Sequence, residues 1–125
     1  MDESRRIKIS SGSVAAYAVL NTTAVADAVW RALPLEVKMQ TWGDELYGSI
    51  PLHLGLESPQ EVVDRGDIAY WPPGHALCVF FGPTPASIGD EPRAAGDVTV
   101  FGHVDGDPGV FRLVRGGEKL RFERV

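Results

Sequence analysis

At 125 residues the chain fits a single domain, 1–125, long enough to bury one core without metal or disulfide staples. A formal charge of −5 with scattered arginines excludes a phosphate-backbone binder, so no nucleic-acid partner is expected. The lone Cys78 rules out an intrachain disulfide, no apolar run reaches membrane-spanning length, and the opening Met1–Arg6 lacks the apolar core of a signal peptide; the expectation is a cytoplasmic protein with no membrane partner.

In chain order, Arg6–Ser10 alternates polar and apolar residues, Ser11-Gly12-Ser13 supplies a turn, and Val14–Leu20 completes a hairpin. Asn21 or Thr22 caps a helix in which Val25, Ala28, Val29, Ala32 and Leu33 recur at helical spacing until Pro34 ends it. Short strands are expected over Trp42–Tyr47, Ile50–Leu54, Val62-Val63, Ile68–Trp71, Ala76–Phe81, Val98–Val104 and Lys119–Val125, with Gly or Pro at almost every junction. Asp107-Pro108 opens a helical turn carrying Val110, Leu113 and Val114, closed by Gly116-Gly117. The irregular stretch Gly82–Asp97 is long enough to be a structured surface loop or a lid. About eight short strands with one or two helices favour a mainly β chain closed into a barrel, because closure removes exposed sheet edges and the helices cap the open ends. The terminal strands, Arg5–Ser10 and Lys119–Val125, are expected to pair.

Three tight motifs follow one another in this chain: Trp42-Gly43-Asp44-Glu45-Leu46-Tyr47, Tyr70-Trp71-Pro72-Pro73-Gly74 and Phe81-Gly82-Pro83-Thr84-Pro85. In these the sequence resembles a prokaryotic family of uncharacterised proteins with a cyclophilin-like β-barrel fold. The resemblance implies that barrel and leaves the chemistry open. Thr99 and His103 stand where the family pattern has Asn and Arg, which puts a polar role for that strand in doubt. The Phe-x-x-Gln-Gly-Gly signature of the peptidyl-prolyl isomerases is missing, so isomerase activity of that kind is disfavoured.

Glu45 is the most interesting polar residue. On a strand it shares a face with Tyr47, and a carboxylate beside aromatic rings is partly desolvated, which raises its pKa toward the range useful for acid or base catalysis. The competing expectation, given precedence here, is a structural one: Glu45 holds a loop by pairing with Arg93 or with backbone amides. Trp42, Tyr47, Tyr70, Trp71 and Phe81 lie on or beside rigid turns and suit the wall of a cleft, with Glu45, Thr84 and Arg93 as orienting polar groups. The expected partner is a small molecule or an extended peptide, and monomer and homodimer are both compatible with the sequence. A hydrolase or isomerase of a small amide or cyclic substrate, with Glu45 as acid or base and Arg93 clamping a substrate carboxylate, is the alternative. Phe80 and Phe81 must point to opposite faces. Cys78 reads as a small buried hydrophobe. His53, His75 and His103 lack metal-ligand spacing, so neither a metal nor another cofactor is expected.

Overall fold

The structure, a computed structural model, describes residues 5–125. The reading of Met1–Ser4 as lacking a leader's apolar stretch lies outside the described residues. The described residues form ten strands: β1 (Arg6–Ser10), β2 (Ala15–Leu20), β3 (Leu35–Lys38), β4 (Gln40–Thr41), β5 (Glu45–Ser49), β6 (Gln60–Val62), β7 (Asp67–Trp71), β8 (Ala76–Phe80), β9 (Arg93–Asp105) and β10 (Lys119–Arg124). One helix, α1 (Ala24–Ala32), and two 3-10 turns at Pro72–Gly74 and Pro108–Leu113 complete the described elements. No helix among the described residues is long and apolar enough to cross a membrane.

The ladders run in the order β3-β10-β1-β2-β9-β7-β8-β5-β4, antiparallel throughout, with β6 added to β9. The result is the expected barrel-like, mainly β fold, but with ten strands among the described residues rather than about eight and without the closure expected, its ring of hydrogen bonds being left open between β3 and β4. Covalent chain makes that join, because Met39 alone separates the two strands. Gly48 permits the approach: a Cβ there would lie 2.3 Å from the Lys38 carbonyl oxygen of β3, so only glycine lets β5 pass. The terminal strands pair as expected, Ile7 opposite Arg124 and Ile9 opposite Phe122, and β10 also carries β3 on its far side.

The helix begins later than expected. Thr23 is its N-cap, accepting a hydrogen bond from the Ala26 N–H at 3.0 Å, while the Asn21 side chain accepts from the Thr23 backbone N–H and braces the cap. Val25, Ala26 and Val29 are its buried face and join the barrel's inner core. Ile50–Leu54 is not a strand. It crosses the barrel as irregular chain, held where the Tyr70 hydroxyl donates to the Leu52 carbonyl at 2.7 Å and accepts from the Leu54 N–H at 3.2 Å. Nor is Gly82–Asp97 one long loop, since β9 begins at Arg93. The part that is irregular ties to itself: the Thr84 hydroxyl donates to the Arg93 carbonyl, Ser87 to that of Glu91, and the Glu91 carboxylate accepts from the Ile88 and Gly89 N–H groups at 2.8 Å each. Those donors hold the Glu91 carboxyl well below the usual carboxylate range. The segment is a fixed surface loop.

Alternation along the strands creates two apolar clusters. Ile68, Tyr70, Leu77, Val79, Phe101 and Phe122 point inward with residues of every long strand, forming the barrel core. Ala69, Ala76, Cys78 and Phe80 point outward from β7 and β8, where they are covered by Ala94 and Val98 of β9 and by Val63 beside β6. In the β5-β8-β7-β9 wall, β7 and β8 are therefore buried on both faces along most of their length, which is why Ala76–Phe80 reads as an unbroken apolar run.

Candidate functional site

A cavity of about 260 Å³ opens on the outer face of that wall. Its floor is the diagonal made by Glu45 of β5 and Cys78 of β8, set by a register in which Glu45 lies opposite Phe80 and Tyr47 opposite Cys78. Its walls are the rings of Trp42, Tyr47 and Trp71, each half-buried, and its remaining side is Ala94, Ala95 and Val98 of β9. Trp42 reaches the cavity because the chain reverses between β4 and β5: Gly43 takes a φ of +60°, and the Trp42 N–H bonds the Glu45 carbonyl at 2.9 Å. A side chain at Gly43 would also meet the Thr84 backbone at 2.8 Å, so the reversal is locked against the Gly82–Pro85 segment. Trp71 is held by the Pro72–Gly74 turn that follows it, its ring 3.0 Å from where a Cβ on Gly74 would stand.

Glu45 is 6 % exposed, and burial pushes its carboxyl from an ordinary value near 4.5 to about 7. The neighbouring Cys78 thiol opposes that rise without reversing it. Cys78 is pushed well above its ordinary pKa by its own burial and then by the neighbouring carboxylate, so the thiol keeps its proton, which it directs at the Ala76 carbonyl at 3.9 Å. Cys78 is the small buried residue that its strand context suggests, and it lies beside the one ionisable carboxyl in the cavity. The signal that pairs them is the β5–β8 register, which no local motif encodes.

The structural role expected for Glu45 is corrected. Arg93 turns away to Glu91 at 3.2 Å and Glu61 at 3.9 Å, and among the described residues no cation pairs with Glu45. Of the eight residues expected at the site, Trp42, Glu45, Tyr47 and Trp71 come together. The other four do not. Tyr70 is fully buried in the barrel core, one residue and one face away from Trp71. Phe81 also points inward, 6.5 Å from Phe111, while Phe80 takes the outer side. The Thr84 hydroxyl is engaged inside its own loop, and Arg93 in that loop's ion pairs. Alternation decides the two aromatic cases: a residue beside a turn belongs to whichever face its parity dictates.

Elsewhere, His103 bonds Asp67 at 2.8 Å and the buried Thr99 hydroxyl accepts from the Glu57 N–H at 2.8 Å, so both residues that depart from the family pattern have structural polar partners. The rings of His53 and His75 meet edge to face at 4.0 Å. Among the described residues no three potential metal ligands converge.

The family model described as cyclophilin-like matches residues 5–123. Among solved structures the chain is similar to the solution structure of a hypothetical protein from Archaeoglobus fulgidus, 31% identical with a TM-score of 0.81, over 100% of this chain and 98% of that one. No curated protein matches.

Proposed function

The chain belongs to the cyclophilin-like family, and within that fold we propose that its outer cleft binds a small molecule. The carrying observation is the cavity floor: a buried carboxyl that lines the cavity with three rings and has a protonated thiol as its neighbour. A buried carboxyl costs stability unless something compensates it, and no packing need accounts for placing one here. The Tyr47 hydroxyl and the indole N–H groups of Trp42 and Trp71 make no hydrogen bond among the described residues and are free to orient a guest. At about 260 Å³ the cavity lies just below the roughly 300–1,000 Å³ of sites for drug-sized ligands, which favours a small molecule over an extended peptide. A fragment screen by thermal shift tests the reading. Hits should raise the melting temperature of the parent and not of Trp71→Ala, and a hit that binds both equally places the site elsewhere.

The alternative is an enzyme with Glu45 as acid or base, favoured by one observation: a carboxyl poised at about 7 is half-protonated under neutral conditions. Glu45→Gln separates the two. An enzyme loses roughly a hundredfold or more in turnover with ligand affinity little changed, whereas a binding protein shows no turnover to lose.

A further inference from the structure

The cleft has an electrostatic character that its apolar walls conceal. Elsewhere among the described residues, ring faces carry the protein's own cations: Arg6 lies over Tyr17 at 5.2 Å, Arg112 over Phe81 at 5.5 Å and Arg124 over Trp30 at 4.6 Å. Trp42, Tyr47 and Trp71 carry none, and neither Lys, Arg nor His lines the cavity. Three electron-rich rings and one carboxyl therefore line the cavity with no positive charge among them. The adjoining depression continues the pattern, sharing Trp71 and Ala95 and adding Leu56, Pro72, Pro73 and Asp97.

Three ligand classes can be compared on that lining. An anion would meet Glu45 and the negative ring faces with nothing to offset either. A neutral apolar guest would gain from the rings but seal Glu45 from water with no partner beyond the Cys78 thiol. A cation clothed in methyl or methylene groups satisfies the carboxyl and the rings together, and its apolar surface suits the alanines of β9. A net charge of −5 favours its approach as well.

We propose that the cleft is an aromatic cage for a compact organic cation of the alkylammonium class, seated between Trp42, Tyr47 and Trp71 over the Glu45 carboxylate, with any substituent leaving across Pro72 and Pro73. This rests on the small-molecule reading above and names the chemistry of the guest. The cavity takes the ammonium head, and the apolar depression beyond Trp71 takes what is attached to it.

Choline and 3,3-dimethylbutan-1-ol provide the test, since they share a shape and differ in charge. Both are titrated against the intact protein by tryptophan fluorescence, and indole, a neutral aromatic probe that itself fluoresces as tryptophan does, is titrated by calorimetry. Choline should saturate the signal, with the neutral isostere at least about tenfold weaker. Trp71→Leu should weaken choline roughly 2- to 30-fold, the range for one cation–π contact, and Glu45→Gln should weaken choline while leaving the isostere unchanged. Melting curves establish that both variants are folded; if Trp71→Leu fails to fold, Trp42→Leu replaces it. Equal binding of choline and its isostere, or binding of indole alone, overturns the cation and leaves the small-molecule site standing. Failure of all three probes overturns the cage, and the fragment screen then decides independently whether the small-molecule site stands.

Discussion

Tyr70 and Trp71 are neighbours in sequence and belong to different worlds in the fold. Tyr70 points into the barrel, where it is fully buried and its hydroxyl fastens the Leu52–Leu54 crossing. Trp71 points out, half-buried, with its ring on a cavity. The inner face of the β5-β8-β7-β9 wall is filled by side chains from every long strand, whereas the outer face is covered only in part by β9 and β6. A wall that is packed on one side can tolerate a carboxyl on the other, so stability and recognition are divided between two faces of the same strands.

The largest test of the inner face is removal of Lys119–Val125. β10 bridges β1 to β3 and buries Leu120 and Phe122, so the truncated chain should lose its cooperative melting transition, and full cooperative melting would contradict the topology. Next is the neighbouring pair. Tyr70→Ala should cost about 3–5 kcal/mol in denaturant unfolding, adding a core cavity to two orphaned backbone groups. Trp71→Ala should cost about 1 kcal/mol and weaken choline binding at least as much as Trp71→Leu does, and equal stability losses from the two would erase the distinction between faces.

A pH profile sharpens the outer face. Glu45 titrates at about 7 when folded and near 4.5 when unfolded, so the folded state holds the extra proton between those values. Stability should be greatest at the acid end of that window and fall as pH rises through 7, by on the order of 3 kcal/mol for this group. The ionisable groups facing it are Cys78, whose thiol stays protonated, and the Tyr47 phenol. Glu45→Gln should match the parent near pH 4.5 and exceed it in melting temperature at pH 8. A lower melting temperature at pH 8 would restore the structural role that the geometry removes. The smallest effect belongs to Arg93→Ala: partly exposed ion pairs with Glu91 and Glu61 are worth less than about 1 kcal/mol, and ligand affinity should not change.

Local signals make much of this legible. Alternation puts Glu45 with Tyr47 and separates Phe80 from Phe81, and the turn chemistry of Pro72-Pro73-Gly74 fixes the hairpin that carries Trp71. Leu35, Val37 and Met39 also alternate, a strand signal eclipsed by the helix end at Pro34; it marks β3, where the barrel's open seam lies. The Glu45–Cys78 contact is beyond the reach of local signals, because it depends on a register between two strands that are distant in sequence, Glu45–Ser49 and Ala76–Phe80. Phe81 and Tyr70 sit beside turns, as cleft residues do, yet parity along β7 and past the end of β8 places both inside. Charge alone suggests a pairing of Arg93 with Glu45, and the nearby carboxylates Glu91 and Glu61 outcompete that distant partner.

The three tryptophans offer the most direct measurement. Trp42 and Trp71 wall the outer cleft, while Trp30 sits on α1 beneath Arg124, so the protein contains its own control. In a choline titration followed by the indole N–H resonances, the Trp42 and Trp71 signals should move along one saturation curve while that of Trp30 stays in place. Movement of Trp30 alone, or equal movement of all three, would contradict a recognition site confined to the outer face.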